Sequence, residues 1–186
     1  SPSAFSLAAA RLGWPLAEAA TLSLHGQPLD LIRPWLHPRA RLLALTSDAA
    51  GPAGLADLLA NAGFGSSRLV VLEALGGPGE RIRESSAGTF RLADVNPLNL
   101  VAVEVSADSG ARILPCASGR DDGLFEHDGQ LTKREIRAVT LSALAPRRGE
   151  LLWDVGAGAG SVGIEWMLAD PSLRAVAVEA RGDRAE

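Results

Sequence analysis

The residues best able to do chemistry lie in Leu151-Leu152-Trp153-Asp154-Val155-Gly156-Ala157-Gly158-Ala159-Gly160-Ser161, an apolar run that breaks into alternating glycines. Gly156 can turn the chain sharply off a strand end. Gly158 and Gly160 let the backbone approach a ligand with no Cβ in the way, and a helix starting near Ser161 offers free N–H groups close by. Glu179 ends the next strand-like run, 23 residues beyond Gly156. In a right-handed strand–helix–strand unit that second strand lies beside the first, and a carboxylate at its tip can accept hydrogen bonds from both hydroxyls of a ribose. Gly156, Ala157, Gly158, Ala159, Gly160 and Glu179 therefore form a candidate cradle for an adenosine-bearing cofactor.

Two cofactor classes compete for that cradle. Gly158, Gly160 and Gly163 also fit the dinucleotide fingerprint G-x-G-x-x-G, but in a register that starts two residues late relative to the turn. Counted from Gly156, the sixth position is Ser161. Asp154 stands at the strand end just before the loop, where it would repel a pyrophosphate. S-adenosyl-L-methionine carries no phosphate; its sulfonium and α-ammonium suit a nearby acid. The pattern D-x-G-x-G-x-G with a downstream acid favours the methyl donor. An NAD(P)-binding oxidoreductase remains open, as does a purely structural strand–helix turn.

A second informative stretch is Phe125-Glu126-His127-Asp128-Gly129-Gln130-Leu131-Thr132-Lys133-Arg134-Glu135-Ile136-Arg137. Thr132 followed three residues later by Glu135 is a capping-box pattern. Ile136, Val139, Ala143 and Leu144 then recur with the period of an amphipathic helix. The polar leader could fold over a cofactor as a lid. His127, Asp128 and Lys133 read more simply as surface residues, and Asp121-Asp122 as part of a solvated linker. Trp153 and Trp166 sit on core-like positions.

Positioning these residues requires two α/β segments. Residues 4–13 predict a short Ala-rich helix stopped by Gly13 and Pro15, 20–25 a strand, and 28–36 a short helix opened by Pro28. Strands are predicted at 41–46, 68–72 and 99–105, with a helix through about Asn61 and a short helix near 79–86. Residues 107–123, rich in Ser, Gly, Asp and Pro, predict a linker. Beyond it come a helix at 132–145, a strand at 150–155, a helix at 161–168 and a strand at 174–179. Two strands are few for a doubly wound sheet, which usually has at least five or six.

Composition narrows the function classes. With 47% hydrophobic and 22% charged residues, the chain is globular rather than disordered. Its net charge is -4 and Lys133 is its only lysine, so no basic face for nucleic acid is expected. No run reaches the roughly 18 apolar residues of a membrane span. The start, Ser1-Pro2-Ser3-Ala4-Phe5, does not read as a signal peptide. Cys116 is the single cysteine, which rules out an intrachain disulfide or a thiolate zinc cluster and fits a reducing cytoplasm. No metal site is expected, and a homo-oligomer is compatible with the sequence.

The stretch FEHDGQLTKREIRAVTLSALAPRRGELLWDVGAGAGSVGIEWM resembles the start of the C-terminal methyltransferase domain of the decarboxylating precorrin-6Y methyltransferase family. Residues 1–105, with PSAFSLAAARLGWP, SLHG and RLLALTSD, resemble the second half of a tetrapyrrole methylase domain. The resemblance implies an α/β chain: residues 1–106 as the C-terminal part of a tetrapyrrole methylase domain, 107–123 as linker, and 124–186 as the start of a Rossmann-like class I methyltransferase domain. It implies methyl transfer from S-adenosyl-L-methionine to carbons 5 and 15 of a precorrin, with loss of the ring C acetate carboxyl, taking precorrin-6B to precorrin-8X in cobalamin biosynthesis. It carries cofactor contacts onto Thr132, the loop from Gly156 to Gly160, and Glu179, and assigns no catalytic residue. Family members add a Gly/Pro-rich cofactor loop upstream and further strands downstream, so this stretch alone is expected to be inactive or nearly so.

Overall fold

Three near-continuous apolar runs, Leu42–Ala44, Leu69–Leu72 and Leu100–Val103, are buried on both faces, as the interior strands of a covered sheet must be. The computed structural model describes residues 2–182 and divides into two units, Ser1–Leu114 and Pro115–Glu186. The first unit contains α1 (Ala4–Leu12), β1 (Ala19–Ser23), a 3-10 segment (Leu29–Trp35), β2 (Arg41–Leu45), α2 (Gly51–Asn61), β3 (Arg68–Glu73), β4 (Arg81–Ser86) and β5 (Asn99–Glu104). The sheet order is β1-β2-β5-β3-β4, with β1 and β2 parallel and every other pairing antiparallel.

The twofold alternation of strand side chains divides the core into two layers. Leu42, Ala44, Leu69, Val71, Val101 and Val103 pack with Leu55, Ala56 and Leu59 of α2. Leu43, Val70, Leu72, Leu100 and Ala102 pack with Ala8 and Ala9 of α1. Truncating one of these, Leu69→Ala for example, would cost about 2–5 kcal/mol. The Ser3 hydroxyl caps α1 by accepting from the Ser6 N–H at 3.1 Å, and the chain leaves the helix through Gly13 in the left-handed conformation.

One element differs in kind from its sequence reading. Residues 79–86 predict a short helix, but 81–86 form β4, an edge strand along β3. Its sequence, RIRESS, has almost no apolar face to signal a strand. Charge holds it instead: Arg81 and Arg83 both donate to the buried Glu73 on β3, at 2.6 and 2.8 Å, and Arg68 pairs with Glu84 at 2.6 Å. A helix at this position would forfeit those cross-strand pairs.

The second unit contains a 3-10 turn (Asp122–Leu124), α3 (Arg134–Leu144), β6 (Leu151–Val155), α4 (Ser161–Met167) and β7 (Arg174–Val178). β6 and β7 pair in parallel. Leu141, Trp166 and Leu173 form a small core, joined by Leu152, Val162 and Ala175. The opposite face of the strand pair is open, with Leu151, Trp153, Val155, Val176 and Val178 all exposed. Trp153, which the sequence places on a core-like position, is thus 65% exposed, whereas Trp166 is 4% exposed. The apolar stripe on α3 is likewise at the surface: Ile136, Val139 and Leu144 are exposed, while Arg137 and Leu141 face inward. Arg137 goes inside because carboxylates wait for it there.

Candidate functional site

The glycine loop follows β6 directly. The N–H groups of Gly156 and Ala157 donate to the Val178 carbonyl at 2.7 and 3.3 Å, which ties the loop to the end of β7. Gly160 N–H donates to the Ala157 carbonyl at 2.8 Å and closes the turn, and Gly160 is the N-cap of α4. Gly156, Gly158 and Gly160 have φ of 78°, 55° and 67°, a region L side chains rarely occupy. A Cβ built on any of the three meets nothing within 4 Å, so the loop faces open space. Gly163, one turn into α4, serves packing instead: its Cβ would lie 3.4 Å from both the Ala175 Cβ and Asp154 Oδ2.

The two acids of this unit have distinct surroundings. Asp154 Oδ2 accepts from the Gly163 N–H at 3.2 Å, so the carboxylate lies under the first turn of α4. Glu179, just past β7, turns toward the loop. Its Oε2 accepts from the Gly158 N–H at 2.8 Å and its Oε1 from the Arg181 N–H at 2.9 Å. The structure thus brings Glu179 and the Gly156–Gly160 loop together, with Ala157 and Ala159 half-buried between the glycines.

Thr132 is exposed and precedes α3. The capping box expected of Thr132 and Glu135 does not form: Lys133 is the N-cap and makes no side-chain cap bond. Asp122 substitutes, accepting from the Arg134 N–H and from Arg137. The Arg137 hydrogen bond is the main reason its carboxyl lies below the ordinary value, with burial opposing. Asp122 is therefore more than a solvated linker residue. His127 and Asp128 build local turns: His127 Nδ1 accepts from Gly129 N–H at 3.0 Å and Asp128 Oδ1 from Gln130 N–H at 3.1 Å. Lys133 is exposed, 3.8 Å from Asp122.

Two residues that the sequence reading passes over dominate the interior of this unit. Arg137 and Glu165 both have fully buried side chains and pair at 2.9 Å. Burial opposes the Arg137 charge, but the hydrogen bonds it donates to Glu165 and Asp122 outweigh it and raise its pKa. The available sign was Glu165 itself, a lone charge within the apolar helix SVGIEWM. Among the described residues, no group of three His, Cys, Asp or Glu side chains could hold a metal ion, and no helix is long and apolar enough to cross a membrane. Cys116 is exposed.

A strand, a glycine loop, a helix and a parallel strand ending in an acid define a Rossmann-like βαβ unit within a mixed α/β chain. Residues 123–186 match the family model described as a precorrin methyltransferase domain. Over 184 residues, 99% of its length, the chain is 66% identical to a protein of Sinorhizobium sp named precorrin-6Y C(5,15)-methyltransferase [decarboxylating], covering 45% of it. A protein of the same name from Mycobacterium tuberculosis (strain CDC 1551 / Oshkosh) is 41% identical over 95% of the chain and 44% of the relative. A crystal structure of the C-terminal domain of precorrin-6Y C5,15-methyltransferase from Rhodobacter capsulatus is 56% identical over 38% of each chain, with a TM-score of 0.36. By sequence the chain is a homologue of the precorrin-6Y C(5,15)-methyltransferases, and it spans a little under half the length of the curated relatives it matches.

Proposed function

We propose that this chain forms part of an S-adenosyl-L-methionine-dependent C-methyltransferase of cobalamin biosynthesis. The reaction is methylation of precorrin-6B at carbons 5 and 15 with decarboxylation of the ring C acetate, giving precorrin-8X. Residues 1–106 are the C-terminal part of a tetrapyrrole methylase domain, 107–123 the linker, and 124–186 the N-terminal part of the methyltransferase domain. The partner is a tetrapyrrole in the cytoplasm, not nucleic acid or membrane. The observation that carries the reading is the Glu179 carboxylate hydrogen-bonded to Gly158 N–H beside three glycines whose Cβ positions are open.

That cradle suits the methyl donor. The open glycines let a ligand approach the backbone, and Glu179 offers a carboxylate to ribose hydroxyls. Asp154, at the strand end before the loop, makes it a poor host for a pyrophosphate, which disfavours a dinucleotide. When bound, S-adenosyl-L-methionine supplies an electrophilic methyl group on a sulfonium. The protein's part in such a displacement is alignment of donor and acceptor at about 3–3.5 Å, not a strong base. Gly156 to Gly160 would hold the amino-acid end of the donor, Glu179 its sugar, and Thr132 would contact it from the α3 side.

Isothermal titration calorimetry with S-adenosylhomocysteine and with NADH tests this in the natural polypeptide that carries the chain. Binding of the first and not of the second is expected, and the reverse overturns the proposal. Glu179→Ala should weaken S-adenosylhomocysteine by about tenfold or more, the loss of a charge-assisted pair of hydrogen bonds.

A further inference from the structure

Four acceptors converge on one buried guanidinium in the second unit. Arg137 Nε donates to Glu165 Oε1 at 2.9 Å and Nη1 to Asp122 Oδ1 at 2.7 Å. Nη1 also donates to the Thr132 carbonyl, and Nη2 to the Arg120 carbonyl. The guanidinium lies over the Phe125 ring, 4.4 Å from its centroid. Glu165 is used as fully: its Oε2 accepts from Gly119 N–H at 2.7 Å and its Oε1 from Arg120 N–H at 2.9 Å. Between residues 119 and 133 the chain has one short 3-10 turn and no strand. These two side chains supply the fixed partners that regular structure would otherwise provide.

A buried ion pair is a weak source of net stability, because desolvation consumes most of its attraction. Its strength is directional. The planar guanidinium sends its hydrogen bonds along fixed axes, which a flexible ammonium cannot do. Here those axes end on the Thr132 carbonyl and on Glu165 of α4, the helix whose first turn issues from the glycine loop. Glu165 lies four residues after Ser161. We propose that Arg137, through Glu165, is the positioning residue of this site, setting Thr132 and the Gly156–Gly160 loop in one frame without touching the ligand. This rests on the cofactor reading above.

The test is a double-mutant cycle in the natural polypeptide, read as S-adenosylhomocysteine affinity well below each variant's melting temperature. Arg137→Lys keeps the charge but cannot reach all four acceptors. The folded variant should bind about tenfold or more weakly, because small misplacements of contacting groups are costly. Thr132→Ala should then cost clearly less in the Arg137→Lys background than alone, since Thr132 is already misplaced there. A purely structural arginine would lower the melting temperature and leave both affinities as they were. Normal binding by folded Arg137→Lys, or strictly multiplicative effects, overturns the inference alone. Absence of binding in the unaltered protein overturns the cofactor reading and the inference together. If Arg137→Lys does not fold, Asp122→Asn, at a partly exposed acceptor, is read the same way, with about a threefold loss expected.

Discussion

Gly158 and Gly119 offer matched perturbations that should separate ligand approach from folding. Both have positive φ, 55° and 76°, so alanine at either adds a left-handed strain of about 1–2 kcal/mol. Beyond that they differ. A Cβ on Gly158 meets nothing within 4 Å, whereas one on Gly119 lies 2.9 Å from both the Ala138 Cβ and the Arg134 carbonyl oxygen. Overpacking of that kind adds about 1–3 kcal/mol. Gly158→Ala should therefore lower unfolding free energy by about 1–2 kcal/mol and Gly119→Ala by about 2–5 kcal/mol. Binding should rank the other way. The methyl of Gly158→Ala projects into the space before the loop, and a loss of about 1.4–3 kcal/mol there is roughly a ten- to hundredfold weaker Kd for S-adenosylhomocysteine. Gly119→Ala, in protein that remains folded, reaches the ligand only through Glu165, which accepts the Gly119 N–H, and should lose less affinity than Gly158→Ala. Urea unfolding gives the first ranking and calorimetric titration the second. If Gly158→Ala binds as tightly as the parent protein, the open space before the loop is not where the ligand sits.

Three further outcomes are expected. Burial alone would raise the Glu73 pKa, but hydrogen bonds from Arg81, the Asn96 N–H and Arg83 prevail and lower it. A depressed folded pKa means that its stabilisation is complete above the unfolded value of about 4.3 and is lost as pH falls through the folded one. Glu73→Gln should thus cost about 3–5 kcal/mol at pH 7 and flatten the acid limb of stability, read as urea midpoints against pH; an unchanged acid limb would count against the pairing. Trp166→Ala should cost about 3–5 kcal/mol, read as urea midpoints, and a cost below about 1 kcal/mol would count against its packing with Leu141 and Leu173. Asn99 side-chain amide donates to the Asp48 and Asn96 carbonyls, and its oxygen accepts from Thr46 at 2.6 Å. Asn99→Ala, which strands those groups, should lose about 1–3 kcal/mol by thermal melting, and no loss would mean water replaces them fully.

Much of the backbone could be read from the chain because its strongest cues are local. Ser3 and Gly13 bound α1, and the runs at 41–46, 68–72 and 99–105 become β2, β3 and β5 with ends moved by a residue or so. What escaped depends on side-chain partners on other elements. The 79–86 stretch reads as a short helix until Glu73 is set beside Arg81 and Arg83. The α3 start looks capped by Thr132, yet the acceptor comes from Asp122, ten residues back. Arg137 looks like a surface residue on a charged helix, and only the fold reveals two carboxylates and two carbonyls around it. In the candidate site, the Gly156–Gly160 loop was legible because glycine spacing states a backbone requirement directly. The network behind it was not, since side-chain pairing 28 residues apart leaves no periodic trace.

The strand order of the first sheet has a bearing on synthesis. β5 is the last strand made, yet it lies between β2 and β3 and pairs with both. On the ribosome, β1–β2 and β3–β4 can each form a ribbon as they emerge, but although α1 and α2 pack on both, the two have no strand between them until Glu104 clears the exit tunnel. The nascent chain must therefore wait with two half-sheets exposing unpaired inner edges, the condition under which chaperones earn their keep. Release of the chain before residue 99 should leave those halves prone to aggregate, and a few residues of further elongation should switch the unit to protease resistance in a single step.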